Sequence, residues 1–125
     1  MGSRLLLVAL GGALGAVCRY LLAIWIKDWT DPSAFPWGTL TVNVLGSFAL
    51  GLLLGLDPES SRFADPQLRL ALGVGFLGAF TTFSTFSVET ITALEQGQTS
   101  VALGNVVANL VMCLGAAWVG LRLAG

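Results

Sequence analysis

Histidine is absent from this sequence, and charged side chains are scarce. Only 10% of the 125 residues are charged, whereas about a quarter are charged in a typical soluble domain. Cys18 and Cys113 are the only cysteines, and no cluster of carboxylates accompanies them, which argues against a transition-metal site. Glu89 has no second acid or base at a similar position in an apolar segment, as acid–base catalysis would require. We therefore expect no enzyme activity and no nucleic-acid partner.

Apolar residues are abundant instead. They make up 55% of the chain, and the mean hydropathy is +0.83. A helix needs about 20 such residues to cross roughly 30 Å of hydrocarbon, and four segments are long enough, at about 5–26, 37–56, 68–94 and 101–121. The sequence predicts an all-α membrane protein with a single domain, residues 1–125, of four transmembrane helices. Both cysteines fall inside these segments, where we expect small buried side chains and no disulfide.

The third segment carries an unusual run of hydroxyls and aromatic rings. Residues 75–87 read Gly-Phe-Leu-Gly-Ala-Phe-Thr-Thr-Phe-Ser-Thr-Phe-Ser. Hydroxyl groups at membrane depth must find a partner in protein, water or an ion, because leaving them unpaired is costly. This run is therefore expected to face the protein interior or an aqueous pathway.

The same run is unfavourable for a continuous helix. Gly75, Gly78 and the pair Thr81-Thr82 all weaken helical structure, so a break is expected here. A break in mid-membrane frees backbone carbonyls, which are tolerated only where they are buried or bind something. A cation is the natural partner for carbonyls that converge.

Two phenylalanines in this run share one helix face. Phe83 and Phe86 are three residues apart, with Glu89 one further turn along. Such a pair ordinarily packs or faces lipid, but the positive edge of an aromatic ring can also touch a small anion in a dry site. Glu89 is either an anchor at the membrane interface or a residue of a vestibule.

Polar side chains in the other segments leave alternatives open. Asn43 lies deep in the second segment, where it either bonds to another helix or belongs to a shared polar interior. Asn105, Asn109 and Cys113 form one stripe of the fourth helix, which serves either packing or a solute path. Arg19 in the first segment either snorkels to the interface or has a role inside the protein.

Small residues at four-residue spacing provide faces on which helices can pack closely. They offer contact surfaces for a second copy or for packing within one copy, and their number favours an oligomer. The pairs are Gly11/Gly15, Gly12/Ala16 and Gly51/Gly55.

Four helices place both termini on one side of the membrane. That side holds most of the arginines, and the positive-inside rule then favours termini in the cytoplasm. These arginines are Arg4, Arg62, Arg69 and Arg122, against Lys27 on the other side.

Three stretches of the chain resemble the motifs of the CrcB/Fluc fluoride channels. They are Gly-Gly-Ala-Leu-Gly-Ala-Val-Cys-Arg-Tyr at 11–20, Gly-Thr-Leu-Thr-Val-Asn-Val-Leu-Gly-Ser-Phe at 38–48 and Gly-Phe-Leu-Gly-Ala-Phe-Thr-Thr-Phe-Ser-Thr-Phe at 75–86. The resemblance implies an antiparallel, dual-topology dimer with two fluoride pathways and a structural sodium ion on the two-fold axis. Some members of the family instead pair two homologous subunits of opposite topology.

The resemblance also implies roles for particular residues. The amide of Asn43 would donate to fluoride, the rings of Phe83 and Phe86 would line its path, and the carbonyls of Gly78 and Thr81 would hold sodium. The family usually has Gly-Gly where this chain has Gly78-Ala79, which would stiffen the break. The remaining pathway positions are the polar stripe Asn105, Asn109 and Cys113, and the hydroxyls Ser84 and Thr85.

The function predicted from the sequence is passive, fluoride-selective conduction in a prokaryotic cytoplasmic membrane, which lowers fluoride toxicity. A membrane potential drives anions outward at about 2.3 kcal/mol per charge per 100 mV, and no phosphate-binding loop for a fuel is visible. The expected partners are fluoride, membrane lipid and a second subunit. The alternatives are a proton-coupled exporter of the small multidrug-resistance type, for which Glu89 is the only carboxylate inside a segment, and a non-conducting accessory subunit.

Overall fold

The computed structural model describes residues 1–59 and 63–125, and all regular structure in these ranges is helical. Four helices are long and apolar enough to cross a membrane, which confirms the predicted class. The second ends one residue earlier than expected, and the others extend one to three residues further at each end. Arg62, one of the arginines used to predict topology, lies outside the described residues. The spans are Gly2–Trp29, Trp37–Gly55, Pro66–Glu95 and Thr99–Ala124.

The third span is a composite of several helical pieces, whereas the other three are continuous. It contains a π-helical segment, which has wider turns than an α-helix, and a two-residue break. In chain order the elements are α1 (Gly2–Trp29), α2 (Trp37–Gly55), α3 (Pro66–Leu70), the π-helical segment (Ala71–Leu77), α4 (Gly78–Phe80), α5 (Phe83–Glu95) and α6 (Thr99–Ala124).

Glycines bring α1 into backbone contact with the π-helical segment. A Cβ atom at Gly11 would collide with the carbonyl oxygen of Ala71, and one at Gly15 would collide with that of Phe76. The sequence analysis expected the glycines of the third span to contribute to a break. The structure instead shows that this glycine-rich part is helical, with wide turns, and that the break follows it at Thr81 and Thr82. The continuous backbone of α1 packs directly against it.

A second pair of helices, α2 and α6, forms the most extensive contact of the bundle. Gly51 of α2 faces the carbonyl of Ala117, and Gly120 of α6 faces that of Phe48. Gly55 similarly approaches Leu121. The pairs Gly11/Gly15 and Gly51/Gly55 thus serve packing within one chain, which was the second of the two alternatives.

Two aspartates and one glycine stabilise the connections and the ends of the helices beside them. Asp31 Oδ1 accepts hydrogen bonds from the hydroxyl and the backbone N–H of Ser33, and these bonds hold the pKa of Asp31 below its ordinary value. Asp65 caps α3 by accepting from the N–H of Gln67 at 2.9 Å. Gly97 has a φ of +75° after α5, and the N–H of Gln98 reaches back to the carbonyl of Ala93 at 2.8 Å. This is the glycine helix end expected at that position.

Both cysteines are free, in agreement with the sequence, but neither is buried. Cys18 is exposed on the outer face of α1, and Cys113 is partly exposed on α6. The prediction of burial was wrong because membrane helices turn apolar side chains outward to lipid as readily as inward.

Candidate functional site

The break in the third span lies at Thr81 and Thr82, whose backbones are extended. The break divides the span almost evenly, since α4 ends at Phe80 and α5 begins at Phe83. Thr82 is the N-cap of α5, because its hydroxyl accepts from the N–H of Thr85 at 3.2 Å. The carbonyl end of one half-helix and the N–H end of another therefore meet in mid-span.

The side chain of Asn43 on α2 forms two hydrogen bonds with the backbone of the break. Its Oδ1 accepts from the N–H of Thr82 at 2.8 Å, and its Nδ2 donates to the carbonyl of Thr82 at 3.0 Å. The same Nδ2 donates to Oδ1 of Asn109 on α6 at 3.2 Å. A side-chain amide carries two hydrogens, so both hydrogens of Asn43 are engaged by protein groups.

A buried hydrogen-bond chain continues from this contact along α6. Asn109 Nδ2 donates to both the carbonyl and Oδ1 of Asn105 at 2.9 Å, and Asn105 Nδ2 donates to the hydroxyl of Thr90 at 3.0 Å. Thr90 in turn donates to the carbonyl of Phe86 at 2.8 Å. Asn105 is 1% and Asn109 7% exposed, so pairing of these amides avoids a large desolvation cost.

A groove of about 280 Å³ opens beside the break at the outer surface of the bundle. The rings of Phe83 and Phe86 form one wall, with centroids 5.4 Å apart and planes at 51°. Phe83 is 78% exposed, although it lies at mid-span. The lining residues are Asn43, Gly46, Ser47, Leu50, Thr81, Phe83, Phe86, Asn109, Leu110, Cys113 and Leu114.

Only part of the predicted pathway set borders this groove. Asn109 and Cys113 do so, whereas Asn105 is buried behind them and contacts α5. Ser84 and Thr85 do not line the groove, because their hydroxyls lie 3.3 and 3.0 Å from that of Thr82 and complete the cap of α5. The structure thus separates residues that the sequence pattern had grouped together.

Arg19 has a role inside the protein, which was one of its two alternatives. Its Nε donates at 3.1 Å to the carbonyl of Ala79, which lies in α4 two residues before Thr81. The guanidinium of α1 therefore satisfies a carbonyl that the broken helix would leave unpaired.

Glu89 lies away from the groove, near the connection between α1 and α2. Its Oε1 accepts from the hydroxyl of Thr39 at 2.6 Å, and its buried Oε2 has no hydrogen-bond partner among the described residues. It borders two further cavities, of about 340 and 430 Å³, and Lys27 lines the first of them. Glu89 therefore borders cavities near one end of the third span.

The carbonyl oxygens of Gly78 and Thr81 are of the chemical type that hard cations prefer as ligands. Within residues 1–59 and 63–125, neither oxygen receives a side-chain hydrogen bond or one from the loops and helix ends. The same ranges hold no group of three or more Cys, Asp or Glu side chains that could bind a metal. Free carbonyls of unwound membrane helices are typical sodium ligands.

Sequence reasoning missed Thr90 and Gly46. Thr90 could have been found from the short connection between α5 and α6, because it lies seven residues before Gly97 and Asn105 lies eight after it. Gly46 gives room to the methyl group of Thr81, with which a Cβ atom would collide. No sequence signal reveals that contact, since it depends on how α2 meets the break.

Comparisons with known proteins show which family the sequence resembles. The profile of the family described as "CrcB-like protein, Camphor Resistance (CrcB)" matches residues 6–121. A protein named fluoride-specific ion channel FluC from Magnetococcus marinus is 50% identical over 114 residues, 91% of each chain. Proteins of the same name are 49% identical in Shewanella baltica, over 97% of this chain and 95% of that one, and 44% identical in Geotalea daltonii, over 94% and 93%.

Proposed function

This chain belongs to the CrcB family, and from that premise we propose that it is a fluoride-selective channel through which fluoride leaves the cell passively. The observation that carries the proposal is the match to channels named fluoride-specific over nearly the whole chain. The groove beside the broken helix provides a physical basis for anion conduction.

The broken helix supplies opposite partial charges at mid-membrane. A helix end that exposes N–H groups attracts anions, and one that exposes carbonyls attracts cations. The N-terminus of α5 presents N–H groups beside Phe83. In the part of the chain that the structure describes, the carbonyls of Gly78 and Thr81 receive no hydrogen bond from a side chain, a loop or a helix end. An anion path and a cation site can therefore lie close together although no charged side chain lines the groove.

In the proposed pathway, fluoride passes the ring edges of Phe83 and Phe86 between small polar groups. Asn109, Ser47 and Cys113 line the same groove as the rings. Ring edges carry partial positive charge, which stabilises an anion yet binds it weakly enough for release. Thr39 and Glu89, with Lys27 nearby, form the vestibule towards the connection between α1 and α2.

The open groove supports an antiparallel dimer, of two copies or of this chain and a homologous subunit. An inverted partner subunit would cover the open groove and the ring of Phe83, which is 78% exposed in a single chain. Thr81 lies 15 residues after the start of the span and Thr82 lies 13 before its end. Because the break is central, an inverted partner would carry its own break at the same depth.

Sodium is the proposed cofactor of that dimer. The carbonyls of Gly78 and Thr81 from both subunits would hold it, and a bound cation supplies a fixed positive charge between the two anion paths. Since an ion that binds only the assembled state stabilises it, we expect the melting temperature of the purified protein to rise with sodium concentration. Choline at equal ionic strength should give no such rise, and identical melting in both salts would contradict the site.

The chain is a multi-pass membrane protein, and we place it in the cytoplasmic membrane of a prokaryote. A growth assay tests the physiological role in a bacterial strain that lacks its own fluoride export. Expression of this chain should restore growth in fluoride medium, and Phe86→Ile, expressed at the same membrane level, should not. Growth that stays fluoride-sensitive, with the protein present in the membrane, would contradict the proposal.

The proton-coupled exporter is less well supported. Such a mechanism needs a carboxylate on the substrate path, but Glu89 does not border the groove and bonds to Thr39 near one end of the third span. The family match also favours a channel.

A further inference from the structure

A second groove, of about 270 Å³, lies between the end of α2 and the π-helical segment. Every described side chain that lines it is apolar, and we call it the apolar groove. The stretch of α2 from Ala49 to its end rises about 10 Å, so the groove runs from the membrane boundary towards mid-span. Its walls include Ala49, Leu53, Leu56, Phe63, Leu72 and Leu77.

The side chain of Arg69, at the end of α3, lies where the apolar groove meets the membrane boundary. Its Nη2 donates to the carbonyl of Leu53 at 2.9 Å and its Nη1 to that of Leu56 at 3.2 Å. Both leucines line the groove. The bonds fix the direction of the guanidinium, but carbonyls are neutral acceptors and do not cancel its charge. Arginine has five N–H groups, of which these bonds use two.

We propose that the apolar groove and Arg69 together bind a phospholipid with an anionic headgroup. An acyl chain would lie in the groove, and the phosphate would contact the guanidinium. Basic pockets between transmembrane helices are typical sites for anionic headgroups, and a guanidinium can pair with phosphate through two parallel hydrogen bonds. A role for Arg69 as a helix cap alone would account for the two carbonyl bonds, but it would not require an open groove beside them.

The apolar groove lies on a different side of α2 from the groove beside the break. At 3.6 residues per turn, the residues of α2 that line the two grooves are centred about 120° apart around the helix. A subunit that covers the groove beside the break therefore need not cover the apolar groove, and in a bilayer lipid is the apolar partner at hand. The two sets are Asn43, Gly46, Ser47 and Leu50 beside the break, and Ala49, Leu52, Leu53 and Leu56 at the apolar groove.

The first test uses the wild-type protein in vesicles that contain a phospholipid with a photoactivatable diazirine on its acyl chain. Labelling by phosphatidylglycerol, which is anionic, is compared with labelling by zwitterionic phosphatidylcholine. We expect lipid adducts in residues 49–56 and 72–77, about fivefold more with phosphatidylglycerol, since one arginine near a headgroup supplies a preference of that order. Equal labelling by both lipids would overturn the proposal. So would the absence of adducts from these ranges, which is the result expected if a second copy fills the groove.

The second test uses Arg69→Gln, which removes the charge but keeps a donor for one carbonyl. Labelling by phosphatidylglycerol in the two ranges should fall to the level of phosphatidylcholine. Arg122→Gln is the matched control, because Leu121 beside it contacts Gly55 at the same end of α2, while the guanidinium of Arg122 lies over the ring of Trp118 at 5.6 Å. The control should keep the preference. An equal loss in both variants would indicate general attraction to a charged surface and would refute the site.

Melting in the two lipids separates lipid binding from the cap of α2. Loss of the carbonyl bonds should lower the melting temperature of Arg69→Gln in either lipid. Only the wild-type protein and Arg122→Gln should melt at a higher temperature in phosphatidylglycerol than in phosphatidylcholine, and the same gain in Arg69→Gln would contradict the proposal. If Arg69→Gln does not fold, the wild-type adducts decide the question. Neither measurement involves fluoride, so the site and the channel stand or fall separately.

Discussion

The rings of Phe83 and Phe86, which both line the groove, differ in how much of their surface is exposed. Phe83 is 78% exposed, whereas Phe86 is partly covered and its carbonyl anchors the chain of bonds from Thr90 to Asn109. An exposed aromatic ring at mid-span serves packing poorly in a single chain. Its position beside polar groups is what we expect of a ring that contacts an ion or a partner subunit.

Replacement of either ring by isoleucine tests the contribution of the ring edges. Ile keeps much of the apolar volume but lacks the quadrupole, so fluoride efflux from liposomes should fall by about tenfold or more, which corresponds to about 1.4 kcal/mol on the barrier. Phe83→Met and Phe86→Met should retain more flux, because sulfur is polarizable. The measurement is the initial rate with a fluoride electrode.

The control for this comparison is Phe35→Ile, in the connection between α1 and α2. Phe35 contacts Trp37 with centroids 4.7 Å apart and does not border the groove, so its replacement should leave efflux unchanged. Wild-type rates in both Phe83→Ile and Phe86→Ile would show that the rings only pack.

At the scale of elements, the third span joins a wide helix, a break and a capped helix. The π-helical segment packs on the glycines of α1, the break is bonded to Arg19 and Asn43, and α5 begins at the cap of Thr82. Each irregular piece thus has a partner on a neighbouring continuous helix. The conducting geometry depends on those continuous helices as much as on the third span itself.

The contact between α1 and the π-helical segment can be tested with two matched glycines. A Cβ atom at Gly15 would meet the backbone of Phe76, which cannot move aside, whereas at Gly12 the nearest atom is the carbonyl oxygen of Gly75 at 3.8 Å. Gly15→Ala should therefore destabilise the fold by about 1–3 kcal/mol through overpacking, and Gly12→Ala should be nearly neutral.

Melting followed by tryptophan fluorescence measures both variants in the same detergent and salt. Equal melting temperatures for Gly15→Ala and Gly12→Ala would contradict the close approach of α1 to the third span.

Sequence patterns predicted where the helices lie better than they predicted which helices pack against each other. Hydropathy gave four spans, and the pair Thr81-Thr82 indicated the break, because both signals are local. The partners of Gly11 and Gly51 could not be predicted, since spacing shows that a helix face is flat but not which helix covers it. Likewise Asn105 and Asn109 share one stripe, yet only Asn109 reaches the groove, because α5 covers the other end of the stripe.

At the scale of the whole molecule, the single chain leaves the groove beside the break open at its surface. The glycine faces Gly11/Gly15 and Gly51/Gly55 are occupied within the chain, so the proposed partner must meet another surface. The groove with its exposed Phe83 is the surface that needs one.

A cysteine at the C-terminus reports on the orientation of that partner. In a Cys18→Ala, Cys113→Ser background, a cysteine at position 125 should be labelled from both sides of the membrane, because antiparallel subunits place their termini on opposite sides. The measurement is labelling by an impermeant maleimide before and after the membrane is opened. Labelling from one side only, in cells that make only this chain, would contradict dual topology of a homodimer.

Electrogenic fluoride efflux from liposomes is the most direct test of the central claim. Vesicles containing the purified protein are loaded with potassium fluoride and diluted into fluoride-free buffer without a pH gradient. A passive anion channel should release fluoride only after valinomycin lets potassium follow, because charge otherwise stops the flow, and vesicles loaded with chloride should release almost none. Release of fluoride without valinomycin and in step with proton movement, or equal release of chloride, would contradict the account.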